Sequence, residues 1–331
     1  MSKDLAFEEN EQQALNNMPV LIEEEQQEDS RYIELLKRIQ SKEEVLSFTS
    51  LKEFSISPKN FIKYKLKDKT PPTDAMLEGS VCDALLCDYI KPERQEFESK
   101  FAIVGNTPST ENQIKFCDLI LRGISAIEAK KESNARGTAE ELLSAYQSFI
   151  EASKSKKQAI SQELFNKCNE IFEGLKKSEL INYFLDNVLD VQVKTEWTDN
   201  GYKFIGFKDA EGHNLIIDFK KMPDANPDKV EYEIKSRKIY LQMGMYAKDH
   251  EGIPECYLIV YDATGNFSVI KMDYSYISYG IREYDYLLAK FDQCVKQNRW
   301  NESFNFFDVE QRTAFKPKWL KGFQTDNDNV E

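Results

Sequence analysis

Asp209, Asp218 and Lys220 fall within twelve residues of one another in the stretch IGFKDAEGHNLIIDFKK, residues 205–221. Two carboxylates and an ammonium at this spacing could serve metal-assisted phosphate chemistry. A hard divalent cation such as Mg²⁺ takes oxygen ligands from one or two carboxylates and leaves positions for phosphate and water. It stabilises charge on a scissile phosphate and its leaving oxygen, while a nearby lysine orients the attacking water. The spacing Asp-x8-Asp-x-Lys alone is also met on solvated hairpins, so the elements that carry it have to decide.

Those elements read as two strands. The run YKFIGF is aromatic and β-branched, HNLIIDFK is apolar through Leu215, Ile216 and Ile217, and Glu211-Gly212 between them is turn material. Side chains alternate along a strand, so Asp218 and Lys220 share one face and Phe219 points to the other. Asp209 closes the neighbouring strand, which would bring both carboxylates and the ammonium into one small volume.

These residues resemble the PD-(D/E)XK nuclease superfamily, with an Asp at the end of one strand and Asp/Glu-x-Lys on the next. GFKDA, residues 206–210, is similar to that family's Gly-x-x-Asp-Ala step, and IIDFKK, residues 216–221, to its Asp-x-Lys strand. Downstream, YLQMGMYA supplies Gln242 and Tyr246, one helical turn apart, as in the Gln-x-x-x-Tyr helix of RecB-like and RecE-like exonucleases. Upstream, residues 54–88 resemble the start of RecE-type (exodeoxyribonuclease VIII-type) phage exonucleases: Ser-Pro-x-x-Phe, then a Thr and a small residue, then Gly-x-x-x-His. Here that last motif is Gly79-Ser-Val-Cys-Asp83, with Asp in place of His.

The resemblance runs over residues 50–320. It implies an α/β fold with a PD-(D/E)XK restriction-endonuclease-like core, a central mixed sheet flanked by helices, carrying a helical insertion. It also implies a Mg²⁺-dependent DNA exonuclease, with Mn²⁺ as a substitute metal. In that reading Asp209 and Asp218 hold the metal with the main-chain carbonyl of Phe219, and Asp83 stands where a further ligand would be. Lys220 positions the water, and Gln242 and Tyr246 orient the DNA strand or Lys220. Resection of duplex ends in phage or mobile-element recombination, a single-strand annealing partner and a ring-shaped homo-oligomer follow from the same resemblance. Two alternatives stay open: a structure-specific endonuclease, and a catalytically inactive DNA-binding module in which Asp83 marks decay of the site.

Composition narrows the field. With 331 residues, 41% hydrophobic and 12% aromatic, the chain can bury a sizeable core. A net charge of -13 argues against a broad surface coating nucleic acid. Residues 1–30 hold nine acids against the single Lys3, so the rest of the chain is only mildly acidic. That tail is expected to be disordered. It lacks the basic and apolar regions of a secretory signal, and no apolar run is long enough for a membrane span. Six cysteines without a CxxC pair suit a reducing cytosol and hence a cytoplasmic protein. Only Cys256 and Cys294 follow the hairpin, so an iron–sulfur cluster needing three grouped C-terminal cysteines is not expected. His213 and His250 are the only histidines, which disfavours a His-rich metal site. There is no Gly-rich phosphate loop of the P-loop or dinucleotide kind.

In chain order, residues 1–30 form the acidic tail and 31–108 an N-terminal helical part that includes the first core helix. Within it Ser57-Pro58 is a helix start. Lys59 and Lys63, interleaved with Phe61 and Tyr64, are candidate DNA contacts or simply a solvated helix face. A helix from about Ala75 to Tyr89 carries Gly79 and Asp83. Residues 109–187 read as a helical insertion of three or four helices capping the core. The nuclease core covers 188–321, and 322–331 is expected to be disordered. In the core, a strand covers 189–198, with Glu196 read as exposed. A helix over 235–249 has Arg237 and Lys238 near its start as phosphate contacts. Two strands follow, then a last helix over 275–298.

Overall fold

The computed structural model describes residues 30–68, 71–248, 250 and 252–307. All but Ser30 of the acidic tail, and the whole of 322–331, lie outside the described residues. In order, the elements begin with α1 (residues 30–40), β1 (Val45–Leu46), α2 (Phe48–Phe54), α3 (Pro58–Leu66), α4 (Asp74–Ile90) and α5 (Glu96–Lys100). Next come β2 (Phe101–Val104), α6 (Glu111–Leu121), α7 (Ala126–Ser133), α8 (Ala139–Lys154), β3 (Gln158–Ser161), α9 (Gln162–Lys176) and α10 (Glu179–Leu185). The chain continues through β4 (Asp190–Asp199), β5 (Tyr202–Gly212), β6 (Leu215–Lys221), α11 (Pro227–Ser236), α12 (Ile239–Ala247), β7 (Glu255–Tyr261), β8 (Phe267–Met272) and α13 (Tyr274–Gln297).

The described residues divide into two compact units, one of residues 30–35, 49–67 and 290–307, the other of 36–48 and 68–289. The smaller unit is held by an aromatic cluster. Phe54 and Phe61 meet Phe291 edge-on at 5.1 and 5.2 Å between ring centroids, and Trp300 packs on Phe61. Its helix α3 starts as expected, with the Ser57 hydroxyl accepting the Asn60 N–H and Pro58 in the first turn.

The larger unit is α/β, with a mixed six-stranded sheet in the order β1-β5-β6-β7-β8 and β4 paired to β5. β4 and β5 form a long hairpin closed by Asn200-Gly201, both at positive φ (49° and 80°), the geometry a two-residue turn needs. β6 and β7 run parallel over seven residue pairs, and β8 is antiparallel to β7. The other edge of β5 is shared. Lys203 and Phe204 pair with β1, only Ala210, Glu211 and Gly212 pair with β6, and between these points β5 and β6 part. The sheet therefore forks just before Asp209 and Asp218.

The β5–β6 turn is His213-Asn214, not the expected Glu211-Gly212. Gly212 lies inside the strand, paired with Leu215, and is glycine because a Cβ there would come within 2.5 Å of the Asn187 carbonyl oxygen. One face of the sheet packs through Ile217, Phe219, Ile259 and Tyr261 against α4, α9 and α10. Residues 109–187 hold five helices rather than three or four, and they are not purely helical, since β3 pairs in parallel with β2. Within this stretch α6, α7 and α8 enclose a cluster of their own around Phe116, Leu142, Tyr146 and Ile150. The helix expected over 235–249 is two, because Lys238 adopts φ 55° and breaks α11 from α12. Among the described residues no helix is long and apolar enough to cross a membrane.

Candidate active site

At the fork the Asp209 side chain takes over from the ladder. Its Oδ2 accepts the Phe219 N–H at 2.9 Å, one step beyond the last β5–β6 backbone pair, Ala210 with Ile217. Its Oδ1 accepts from Gln192 Nε2 at 3.1 Å. Gln192 stands in none of the sequence motifs and sits inside β4 with a left-handed backbone, φ 49°.

Asp218, 1% exposed, lies in mid-β6. Its Oδ1 accepts from Gln242 Nε2 at 3.2 Å, and its Oδ2 is 2.5 Å from Lys220 Nζ. Apart from that ammonium the buried Oδ2 has no hydrogen-bond donor. Burial pushes the Asp218 carboxyl up to about 7, with the Lys220 ammonium pulling down and Asp209 pushing further up. Burial opposes the Lys220 ammonium, but Asp218 and Asp209 outweigh it and raise its pKa.

Gln242 and Tyr246 do share one face of α12, with Gln242 Nε2 3.3 Å from the Tyr246 hydroxyl. Gln242 reaches Asp218 rather than Lys220. Two glycines let α12 come this close. A Cβ on Gly206 of β5 would meet the Tyr246 ring at 2.5 Å, and one on Gly244 would meet the Gly280 backbone of α13 at 2.5 Å. The Gly in GFKDA is thus the seat of the tyrosine.

Asp83 approaches from α4, whose first turn is capped by the Thr73 hydroxyl accepting the Met76 N–H at 3.3 Å. The Tyr261 hydroxyl, at the end of β7, donates to Asp83 Oδ1 at 2.8 Å and lies 3.2 Å from the Gly79 carbonyl. Burial, then the Asp209 charge, holds the Asp83 carboxyl well above the usual range. Asp83 lines two cavities. One, of about 350 Å³, also takes in Asp209, Gln192 and Lys100; the other, of about 480 Å³, takes in Lys220, Phe219 and Arg237. On the reverse side of β6, Lys221 pairs with the buried Glu78 at 2.9 Å, and Lys167 pairs with it at 2.8 Å. The second lysine of IIDFKK is therefore a packing partner of α4.

The remaining expected contacts have differing surroundings. Arg237 borders the second cavity while its guanidinium also pairs with Glu233. Lys238 is engaged by Glu283 of α13. Lys59 and Lys63 are exposed on α3 of the smaller unit. Glu196 is exposed and pairs with Lys194, as expected for a strand surface. Tyr261 and Gln192 were missed; neither stands in a motif, and each is brought in by strand pairing alone.

No set of three or more His, Cys, Asp or Glu side chains that could hold a metal ion occurs among the described residues. Two carboxylates, a main-chain carbonyl and water make a Mg²⁺ site without such a set. The donors present fit this pattern. Asp209 and Asp218 offer hard oxygens, and the buried Asp218 Oδ2 has no donor besides the Lys220 ammonium.

Residues 47–309 match the family described as a PDDEXK-like domain of unknown function (DUF3799). No curated protein matches the chain. Among solved structures it is similar to the crystal structure of a candidate exonuclease from Eubacterium rectale, at 16% identity over 84% of this chain and 92% of that one, with a TM-score of 0.47.

Proposed function

Because the chain belongs to the PDDEXK-like family matched by its residues 47–309, we propose that it is a Mg²⁺-dependent DNA exonuclease hydrolysing phosphodiester bonds. The observation that carries this reading is the fork between β5 and β6, where Asp209, Asp218 and Lys220 meet and the buried Asp218 Oδ2 has no donor besides the Lys220 ammonium.

Asp209 and Asp218 would hold Mg²⁺ with the carbonyl of Phe219; Mn²⁺ has the same preference for hard oxygen donors. Bound there, the cation supplies charge stabilisation to the scissile phosphate and its leaving oxygen. The Phe219 N–H and the Gln192 amide fix the plane of the Asp209 carboxylate. Gln242, steadied by Tyr246, does the same for Asp218. Lys220 keeps its proton and donates to the attacking water, holding an oxygen lone pair towards phosphorus. Asp83, tied by Tyr261, adds a third carboxylate at the same cavity edge. Arg237 and Lys100 border the cavities on either side and can contact flanking phosphates. The motifs Ser-Pro-x-x-Phe and Gln-x-x-x-Tyr support the finer reading of end resection in phage or mobile-element recombination, with a single-strand annealing partner and a homo-oligomeric ring.

The test is digestion of matched linear and covalently closed circular duplex DNA with Mg²⁺, Mn²⁺ or chelator, beside Asp218→Ala. Metal-dependent loss of the linear form alone is the expected result. Cutting of the circle would support the second reading, a structure-specific endonuclease. Absence of cleavage with either metal would sink both and leave a DNA-binding module.

A further inference from the structure

We propose that Gln192 is a positioning residue for Asp209, held in a strained backbone for that purpose; the inference rests on the reading of Asp209 as a metal ligand. Both oxygens of Asp209 are engaged from opposite sides, by Phe219 N–H on Oδ2 and Gln192 Nε2 on Oδ1, at 2.9 and 3.1 Å. Each donor uses one lone pair and leaves the other, so the carboxylate plane is set while both oxygens can still bind a cation.

The backbone explains how the amide gets there. β4 and β5 pair at Val191 with Ala210 and at Val193 with Lys208, so the register is kept on both sides of residue 192. Gln192 alone departs, at φ 49°. Side chains with a Cβ disfavour that region, and a residue there persists only when its surroundings over-determine it. The surroundings do so. Arg94 grips the Asp190 carboxylate with two nitrogens, Asp190 Oδ1 accepts the Val191 N–H at 2.9 Å, and Val191 is fully buried. Glycine would sit at this φ without strain, yet the chain carries a long amide whose donor ends on the Asp209 oxygen. Gln192 also faces the cavity that Asp83, Asp209 and Lys100 border, so it is placed beside incoming substrate.

Two substitutions separate positioning from packing. Gln192→Gly removes both the amide and the strain; Gln192→Met removes the amide and keeps the strain. Calorimetric titration of the metal-free protein with Mn²⁺ should show affinity lowered roughly tenfold in both, the scale of losing a donor that orients a metal ligand. Urea unfolding in chelator should show Gln192→Gly no less stable than the wild type and Gln192→Met less stable. Both variants should need roughly ten times more Mg²⁺ for half-maximal cleavage. Wild-type Mn²⁺ affinity in either variant, or an affinity that simply follows stability, overturns the role of Gln192. A wild type that binds no Mn²⁺ overturns it together with the metal site.

Discussion

The helical cluster of α6–α8 and the sheet with its covering helix α4 differ in what they bury besides apolar side chains. Around Phe116, Leu142, Tyr146 and Ile150 the polar group taken out of water is the hydroxyl of Ser133. In the sheet and α4, Glu78, Lys208, Asp218 and Asp262 are all buried. Burying a charge is costly unless it is paired and hydrogen-bonded. Glu78 has two lysines, Lys208 has Glu211, and Asp262 accepts from Thr264 and Asn266. Asp218 differs from the other two carboxylates: its carboxyl is pushed up to about 7 by burial despite Lys220, whereas the partners of Glu78 and Asp262 hold theirs below the ordinary value. One region is optimised for packing; the other keeps an unmet electrostatic demand at a single carboxylate, which is where a ligand would be most stabilising.

The largest effect should come from that carboxylate. Asp218→Ala is expected to lower cleavage at least ~10³-fold in a gel assay with saturating Mg²⁺, in line with loss of a key electrostatic group. In the helical cluster, Phe116→Ala should instead cost about 3–5 kcal/mol in urea unfolding and change the rate per folded molecule little. If Phe116→Ala were as damaging to the rate as Asp218→Ala, the two regions would not be separable in this way.

A sharper contrast lies in pH. The folded pKa of Asp218 is raised to about 7, above its unfolded value near 3.8. Between those values the folded state keeps a proton that the unfolded state has lost, so this group makes the protein less stable as pH rises and levels off above 7. In chelator, the wild type should lose roughly 2 kcal/mol more between pH 5 and pH 7 than Asp218→Asn does. Urea midpoints at the two pH values measure this, and equal slopes would remove Asp218 as the source of the demand. The smallest effect belongs to the helical region. Thr138 and Glu141 form a reciprocal capping box at the start of α8, and Thr138→Ala should cost about 1 kcal/mol with no change in metal titration.

How far the site could be read in the sequence depended on the range of the forces involved. Asp218 and Lys220 were legible because alternation along a strand is local, and the Ser57 cap because it acts over three residues. The spacing of Gly79 and Asp83, or of Gln242 and Tyr246, needed only helical periodicity. Gln192 was invisible because a left-handed residue inside a strand leaves no compositional trace. Gly212 was misplaced into the turn because its glycine answers to the Asn187 carbonyl, a tertiary neighbour. Lys238 read as a phosphate contact, but Glu283, far along the chain, engages it.

The contact between Tyr261 and Asp83 joins residues 178 positions apart. Closing so long a segment is entropically unfavourable before other contacts reward it. The intervening chain shortens that search, because α6–α8 can collapse on their own apolar cluster and β2 can pair with β3. Even so, β7 is among the last strands synthesised, and Asp83 has no hydroxyl to meet until β7 docks beside β6. The candidate site is thus a late product of folding: a chain emerging from the ribosome carries both carboxylates of the β5–β6 hairpin well before it can assemble the complete set, so the proposed hydrolytic capacity would wait until the sheet is closed.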